Sequence, residues 1–305
     1  MTQPRPIQAI DLSAVAAVTP LPHPLTPYDD LIVNVCPTGP LLTKAVTPHV
    51  PIQPEEVIDD VCRSLELGAS MVHLHARDRR GRPTYRAEVY EAMILGIRRH
   101  FPDAVIGVTC IGNDFPELEK RAEVLELDGA ARPDLASLAL TTFDLPSGPN
   151  PNPPEVVTAL AERMRARGIK PELECFDVGM VATVAQLVRK GLLEPPFYVN
   201  LLLGGRYTCP ATARHLSLMV DDLPPGTVWA AAGMGQRQLS MNTLAIAMGG
   251  HCRVGLEDSM HWLPDSRELA TNERLVKRVV EIARIFGRTP AGRSRVRAML
   301  GLRAA

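Results

Sequence analysis

The sequence has few aromatic residues, no long apolar run, no excess of either charge and no paired-cysteine motif. Each lack removes a class of protein. Phe, Trp and Tyr make up 4% of the 305 residues, so the core has to be aliphatic. Lys plus Arg number 33 and Asp plus Glu 34, and a net charge of −1 leaves no basic excess for nucleic acid or an anionic membrane surface. No apolar run approaches the ~18–20 residues that a membrane span requires. The first six residues carry no apolar h-region, so secretion through a signal peptide is not expected and a cytoplasmic location is. The cysteines, Cys36, Cys62, Cys110, Cys175, Cys209 and Cys252, are scattered without a C-x-x-C pair. They read as small buried hydrophobes in a reducing compartment.

What is present is a hydrophobic fraction of 46%, enough for a large core and incompatible with disorder throughout. The 28 prolines exceed the roughly 15 that ordinary usage predicts. Six of them fall in the first 27 residues. Residues 1–30 have no sustained period and read as an extended, proline-rich arm, with one short helical piece at 10–18. From residue 31 the rhythm changes. Short apolar runs recur at 31–36, 70–75, 104–109, 134–139, 171–176, 197–203, 226–232 and 251–256, each of strand length and bounded by breakers. Helical patterns lie between them. Residues 54–67 put Val57, Ile58, Val61, Cys62 and Leu65 on one stripe. Further stripes precede Gly168, Gly191 and Gly287, the expected helix stops. Eight strands alternating with helices predict a closed TIM (β/α)8 barrel over 31–305, with a doubly wound open sheet as the rival. No G-x-G-x-x-G follows the first strand, which weakens a dinucleotide-binding sheet.

Catalytic groups of such a barrel sit at the C-terminal strand ends. His73 and His75 end the second run. Two residues apart on a strand, they share a face with Cα atoms ~6.5–7 Å apart, close enough to converge on one metal. They also fit a pair of hydrogen-bonded core histidines, because inward imidazoles in an aliphatic barrel need partners. A third metal ligand has to come from another strand, with Glu257 the best placed carboxylate and Glu174 the second. Two histidines and one carboxylate leave open positions, as a catalytic zinc site does, and suit a transition metal better than Mg²⁺ or Ca²⁺. Arg253 and Asp258 are five apart and cannot both face inward on a regular strand unless the backbone turns. A surface ion pair is the other reading. Gly233-Met234-Gly235 after the seventh run reads either as an anion-binding turn or as an ordinary tight loop.

Taken together, these residues are more specific. The sequence resembles the β-keto acid cleavage enzyme family in Pro37-Thr38-Gly39, in residues 68–78 with Gly81-Arg82-Pro83 behind them, in Pro171-Glu172-Leu173-Glu174 and in residues 249–258. Asn272 and Leu275-Val276 also fit, and the order is unbroken from about residue 31. The resemblance implies a TIM barrel with one Zn²⁺ per subunit, assembled as a homotetramer. It implies condensation of a β-keto acid with acetyl-CoA to give acetoacetate and a new acyl-CoA. His73, His75 and Glu257 match the metal ligands, Asp258 the base and Arg253 its partner. Thr109 stands for a serine that contacts the substrate carboxylate, Ser137 for a threonine that helps hold the substrate, and Glu174 for a pocket glutamate. The metal would act as a Lewis acid while Asp258 removes an α-proton.

One position departs. The amino-acid-fermenting members carry a glutamate for the substrate's ammonium two residues after the Thr-Gly pair, and here Leu41 stands there. Burying an unpaired ammonium costs several kcal/mol, so a β-keto acid with an apolar or neutral tail is expected. A dicarboxylic one needs an arginine such as Arg206 in the pocket. The competing function is a metal-dependent hydrolase or aldolase on the same barrel. Against it, none of His23, His49, His100 or His215 lies at a strand end, and His251 begins its strand.

Overall fold

The computed structural model describes residues 29–303. The arm expected over 1–30, with its helical piece at 10–18, lies outside the described residues except for Asp29 and Asp30. The strands, in chain order, are β1 (Val33–Val35), β2 (Met71–Leu74), β3 (Val105–Val108), β4 (Leu135–Ala139), β5 (Phe143–Leu145), β6 (Gly148–Asn150), β7 (Lys170–Cys175), β8 (Phe197–Leu203), β9 (Thr227–Gly233) and β10 (His251–Val254). Eight of them form one closed, all-parallel ring in the order β1-β10-β9-β8-β7-β4-β3-β2. The first strand pairs with both the second and the last, so the sheet has no edge and the open-sheet rival is excluded. All eight apolar runs became barrel strands, because parallel strands covered by helices are buried on both faces and read as runs, not alternations. The antiparallel hairpin β5–β6 was not anticipated. It lies in a stretch rich in proline and glycine, which carries no strand pattern.

Helices alternate with the strands. Pro54–Glu66 buries Val57, Val61 and Leu65, while Ile58 and Cys62, expected on the same stripe, lie half-buried at its flank. Pro154–Arg167 ends on Gly168 in the left-handed conformation, and Val178–Arg189 and Asn272–Ile285 stop before Gly191 and Gly287, as expected. The apolar mass between strands and helices forms one aliphatic core, and a second, smaller cluster fills the floor of the barrel. Ile32, Met71, Val105, Leu135 and Ala230 make that floor, and Ala291, Val296 and Leu300 of the C-terminal segment close it from below.

Above the floor the lumen is not aliphatic. Hydrogen bonds run from β7 to β1, β2 and β8 through Glu172, Asn34, His73 and Asn200, and from β10 to β7 through Arg253 and Glu174. Most of these strands are not neighbours, so the bonds cross the lumen. His73 thus has one of the partners that burial demands, Glu172 at its Nδ1.

One interaction outside the barrel joins the strand-end loops. Asn272, fully buried at the start of its helix, accepts from Leu256 N–H at 2.8 Å and donates to Pro37 C=O at 3.1 Å and to Asp60 Oδ1 at 2.9 Å. Burial pushes the Asp60 carboxyl up to about 7 despite the amide bond from Asn272. A carboxyl raised in the folded state from its ordinary 3.8 binds its proton more tightly there than in the unfolded chain. Stability is thus lost as pH rises through the interval between those values. Asp60→Asn keeps the acceptor and cannot ionise. Its melting temperature should match wild type near pH 4 and exceed it by a margin that widens to pH 7. Parallel melting curves across that range would remove Asp60 as the cause.

Candidate active site and metal centre

The site is built from three strand ends. β2 delivers His73 and, one residue past its end, His75. β10 ends at Val254 and the chain then turns at Gly255, which has φ +153°, so that Arg253, Glu257 and Asp258 converge. A Cβ at Gly255 would lie 2.1 Å from the Cys36 carbonyl oxygen, so the turn requires glycine. After β1, Gly39 has φ +62° and packs under Glu257, where a Cβ would meet Glu257 Cγ at 2.5 Å. The Pro-Thr-Gly loop therefore serves as the seat of Glu257. Gly39→Ala should weaken divalent-metal binding more than it lowers the melting temperature, because its clash is with that side chain; unchanged metal affinity would refute the seat.

The ligating atoms of His73, His75 and Glu257 all lie within 4.8 Å of one another. His75 Nε2 stands 3.3 Å from Glu257 Oε1, and the two imidazole centroids are 5.2 Å apart. Both rings are buried. His73 Nε2 and Glu257 Oε2 are buried without a hydrogen-bond partner among the described residues. Orphaned buried polar atoms cost about 1–3 kcal/mol each, and two of them in one cluster of nitrogen and oxygen donors fit a divalent cation. Among the described residues three protein ligands converge, which fits an open, catalytic coordination sphere better than a closed structural one.

Arg253 is 2% exposed, and this overturns the surface ion pair. Its guanidinium reaches Glu174 at 3.1 Å, Glu257 at 2.5 Å and Asp258 at 3.3 Å. Three carboxylates thus contact one arginine and a fourth, Glu172, lies in the same lumen, an excess of negative charge that a cation would relieve. Burial pushes Asp258 up to about 6 and Glu174 up to about 7, with Arg253 opposing in both. Burial also raises Glu257, but Arg253 and the two imidazoles outweigh it and hold it well below the usual carboxylate range. Burial lowers His75. It works the same way on His73, where the Glu172 carboxylate outweighs it.

The remaining predicted residues separate into two groups. Thr109 follows β3, and its hydroxyl accepts from Ile111 N–H at 3.1 Å. Ser137 on β4 accepts from Cys110 N–H at 3.0 Å, so these two hydroxyls belong to one corner. Thr109 and His75 both line a hollow walled by Pro40, Tyr85, Ile111 and Phe115. Leu41 lies 42% exposed in the loop beyond Gly39. Arg206 lies exposed on the loop after β8 with its guanidinium 5.4 Å from the Tyr207 ring.

The motif left open after the seventh run takes its ordinary reading. In Gly233-Met234-Gly235, Met234 N–H donates to Leu203 C=O at 2.8 Å and Gly235 N–H to Asp258 C=O at 2.7 Å, so neither serves an anion. His251 lies at the opposite barrel end, where its Nδ1 accepts from Ile32 N–H at 3.0 Å and burial pushes it down to about 3. Glu172 was the main omission. It sits two residues before Glu174 on the same strand face, a spacing visible in the sequence, but its partners come from β1, β2 and β8.

Known proteins match this chain over nearly its whole described length. The family model for the beta-keto acid cleavage enzyme covers residues 30–302. The 3-oxoadipate:acetyl-CoA acetyltransferase of Cupriavidus necator is 34% identical over 275 residues, 89% of this chain and 94% of that protein. The 3-keto-5-aminohexanoate cleavage enzyme of Fusobacterium nucleatum is also 34% identical, over 90% of this chain and 99% of its own. Among solved structures, apo ObcA superposes with a TM-score of 0.75 at 22% identity, over 84% of this chain and 66% of that one, a likeness of fold. By family model, by relatives and by the strand-end motifs alike, this chain belongs to the β-keto acid cleavage enzymes, carbon–carbon bond-cleaving enzymes of the acyltransferase type.

Proposed function

We propose that the protein condenses a β-keto acid with acetyl-CoA and returns acetoacetate and the CoA ester of the remaining acyl group. The observation that carries this reading is the juxtaposition of a three-donor cluster holding two orphaned atoms with a buried Asp258–Arg253 pair at the strand ends. His73, His75 and Glu257 would hold a divalent ion, zinc by the softness of the imidazoles. Bound there, it supplies Lewis acidity toward developing negative charge on the substrate oxygen, a contribution of several kcal/mol.

The protein groups divide the remaining work. Asp258, raised toward neutrality, takes a proton from C2 of the β-keto acid. Arg253 keeps its carboxylate oriented through Nε. The enolate carbon attacks the acetyl thioester, the C–S bond breaks and CoA leaves as thiolate. The thiolate then adds to the substrate's original keto carbon. The bond from that carbon to C2 breaks, and acetoacetate departs after C2 regains a proton. Thr109 and Ser137 would bind the substrate carboxylate and keep it beside the cluster. No serine or cysteine nucleophile is required. The homotetramer implied by the family is part of this reading, and light scattering should return four chains of 33.2 kDa.

The tail of the substrate is read as apolar or neutral. The two relatives named above are equally similar and carry opposite tail charges in their names, so identity does not choose between them. Leu41 offers no carboxylate. The hollow beside His75 has aromatic and aliphatic walls; of the two cations lining it, Arg121 is committed to Cys110 C=O, Pro151 C=O and Asn152 Oδ1, and Lys120 pairs with Glu117 at 2.7 Å. A panel of β-keto acids tests this. The 5-amino compound should fall at least about 100-fold below neutral analogues in kcat/KM, the equivalent of ~2.7 kcal/mol. Equal turnover would overturn the assignment and point to Asp114, a carboxylate at the same rim.

A further inference from the structure

We infer that Glu172 is a positioning residue that fixes His73 in the Nδ1–H tautomer and so presents its Nε2 lone pair to the metal centre. The inference rests on the reading that His73, His75 and Glu257 hold a divalent ion. Glu172 is fully buried in the barrel lumen. Its Oε2 lies 2.8 Å from His73 Nδ1, and its Oε1 receives Asn34 Nδ2 at 2.8 Å and Asn200 Nδ2 at 2.6 Å. Both oxygens are therefore engaged, and from three different strands.

The amides show which way the network runs. Asn34 and Asn200 both turn their NH₂ groups to Glu172, and both leave their carbonyl Oδ1 buried without a partner among the described residues. A buried amide oxygen is not abandoned for nothing, since each costs about 1–3 kcal/mol. The arrangement favours an acceptor-only carboxylate at the centre. Facing that acceptor, His73 Nδ1 must carry the hydrogen. In the neutral ring Nε2 then carries the lone pair, and it is the ring atom left without a partner among the described residues. The neighbouring strand accommodates the carboxylate. Gly107 pairs with His73 in register, and a Cβ there would stand 3.0 Å from Glu172 Oε2. A carboxylate that bonds the far nitrogen of a metal-binding histidine sets both its tautomer and its ring orientation.

Two measurements test the inference. The first is the ¹⁵N spectrum of His73 in the metal-free, unsubstituted protein, which does not depend on any variant folding. At a pH where the His73 ring is neutral, Nδ1 should be protonated and Nε2 bare; an Nε2–H tautomer there would overturn the proposal. The second is zinc affinity by chelator competition for Glu172→Gln. The glutamine can offer NH₂ to Nδ1 and favour the wrong tautomer, so the dissociation constant should rise about 10–100-fold. Glu172→Asp, which keeps the acceptor on a shorter arm, should recover part of the loss. Wild-type affinity in Glu172→Gln would sink the inference while leaving the metal centre standing. If instead the wild type binds no zinc, or His75→Ala binds it as tightly, the reading of the metal centre itself has failed.

Discussion

Asp258→Asn should lower kcat by about 10²–10⁴, the usual contribution of a positioned general base, while the protein keeps its metal and its fold. The substitution retains the size of the side chain and one oxygen for Arg253, whose guanidinium still has Glu174 at 3.1 Å and Glu257 at 2.5 Å. What it removes is the site's proton acceptor at C2 of the substrate. Three acids flank Arg253; Glu174 is pushed up to about 7 much as Asp258 is to about 6, and Asp258 is preferred over it because it directly follows Glu257 in the turn after β10. Glu257 is held ionised and turned toward His75 at 3.3 Å, while Asp258 is pushed up to about 6 and turned toward the arginine alone. A carboxylate poised near neutrality is the better base, because it can accept a proton and release it again. Steady-state rates with saturating β-keto acid and acetyl-CoA, read beside metal content per chain, check this. A loss under tenfold at wild-type metal content would remove Asp258 from proton transfer.

His75→Ala should cost both metal and activity. With one of three donors gone, zinc affinity should fall by more than the ~10–100-fold seen when only a supporting residue is lost, and turnover should become undetectable at ordinary metal concentrations. The variant should still fold. His75 lies past the end of β2, and the Arg253–Glu257 and Asn272 connections that hold the neighbouring turn do not involve it. Its melting temperature should equal that of metal-free wild type. Undiminished zinc binding would remove His75 from the site.

The barrel and its site differed in how far they could be read beforehand. The strands were legible because each is a short apolar run between breakers, and burial on both faces leaves no alternation to misread. The helix ends at Gly168, Gly191 and Gly287 were legible for a local reason, the left-handed residue after the last turn. The His73–His75 spacing placed two imidazoles on one face, but could not say what met them. That depended on Glu257, brought in by a turn at Gly255 that spacing alone left ambiguous. Glu172 was harder still. Its partners lie 138, 99 and 28 residues away in the chain, so its place at the centre of the lumen follows only from barrel closure. The expectation of an aliphatic core held between strands and helices and failed inside the upper barrel, where polar side chains satisfy one another.

The central claim is that the enzyme exchanges acyl groups between a β-keto acid and acetyl-CoA. It is tested most directly with acetyl-CoA carrying ¹³C at the acetyl carbonyl. A neutral-tailed β-keto acid is supplied unlabelled, and the products are followed by NMR. The proposed bond changes put the label at C3 of acetoacetate and nowhere in the new acyl-CoA. Cleavage of the β-keto acid without acetyl-CoA, or label appearing in the acyl-CoA product, would contradict the account.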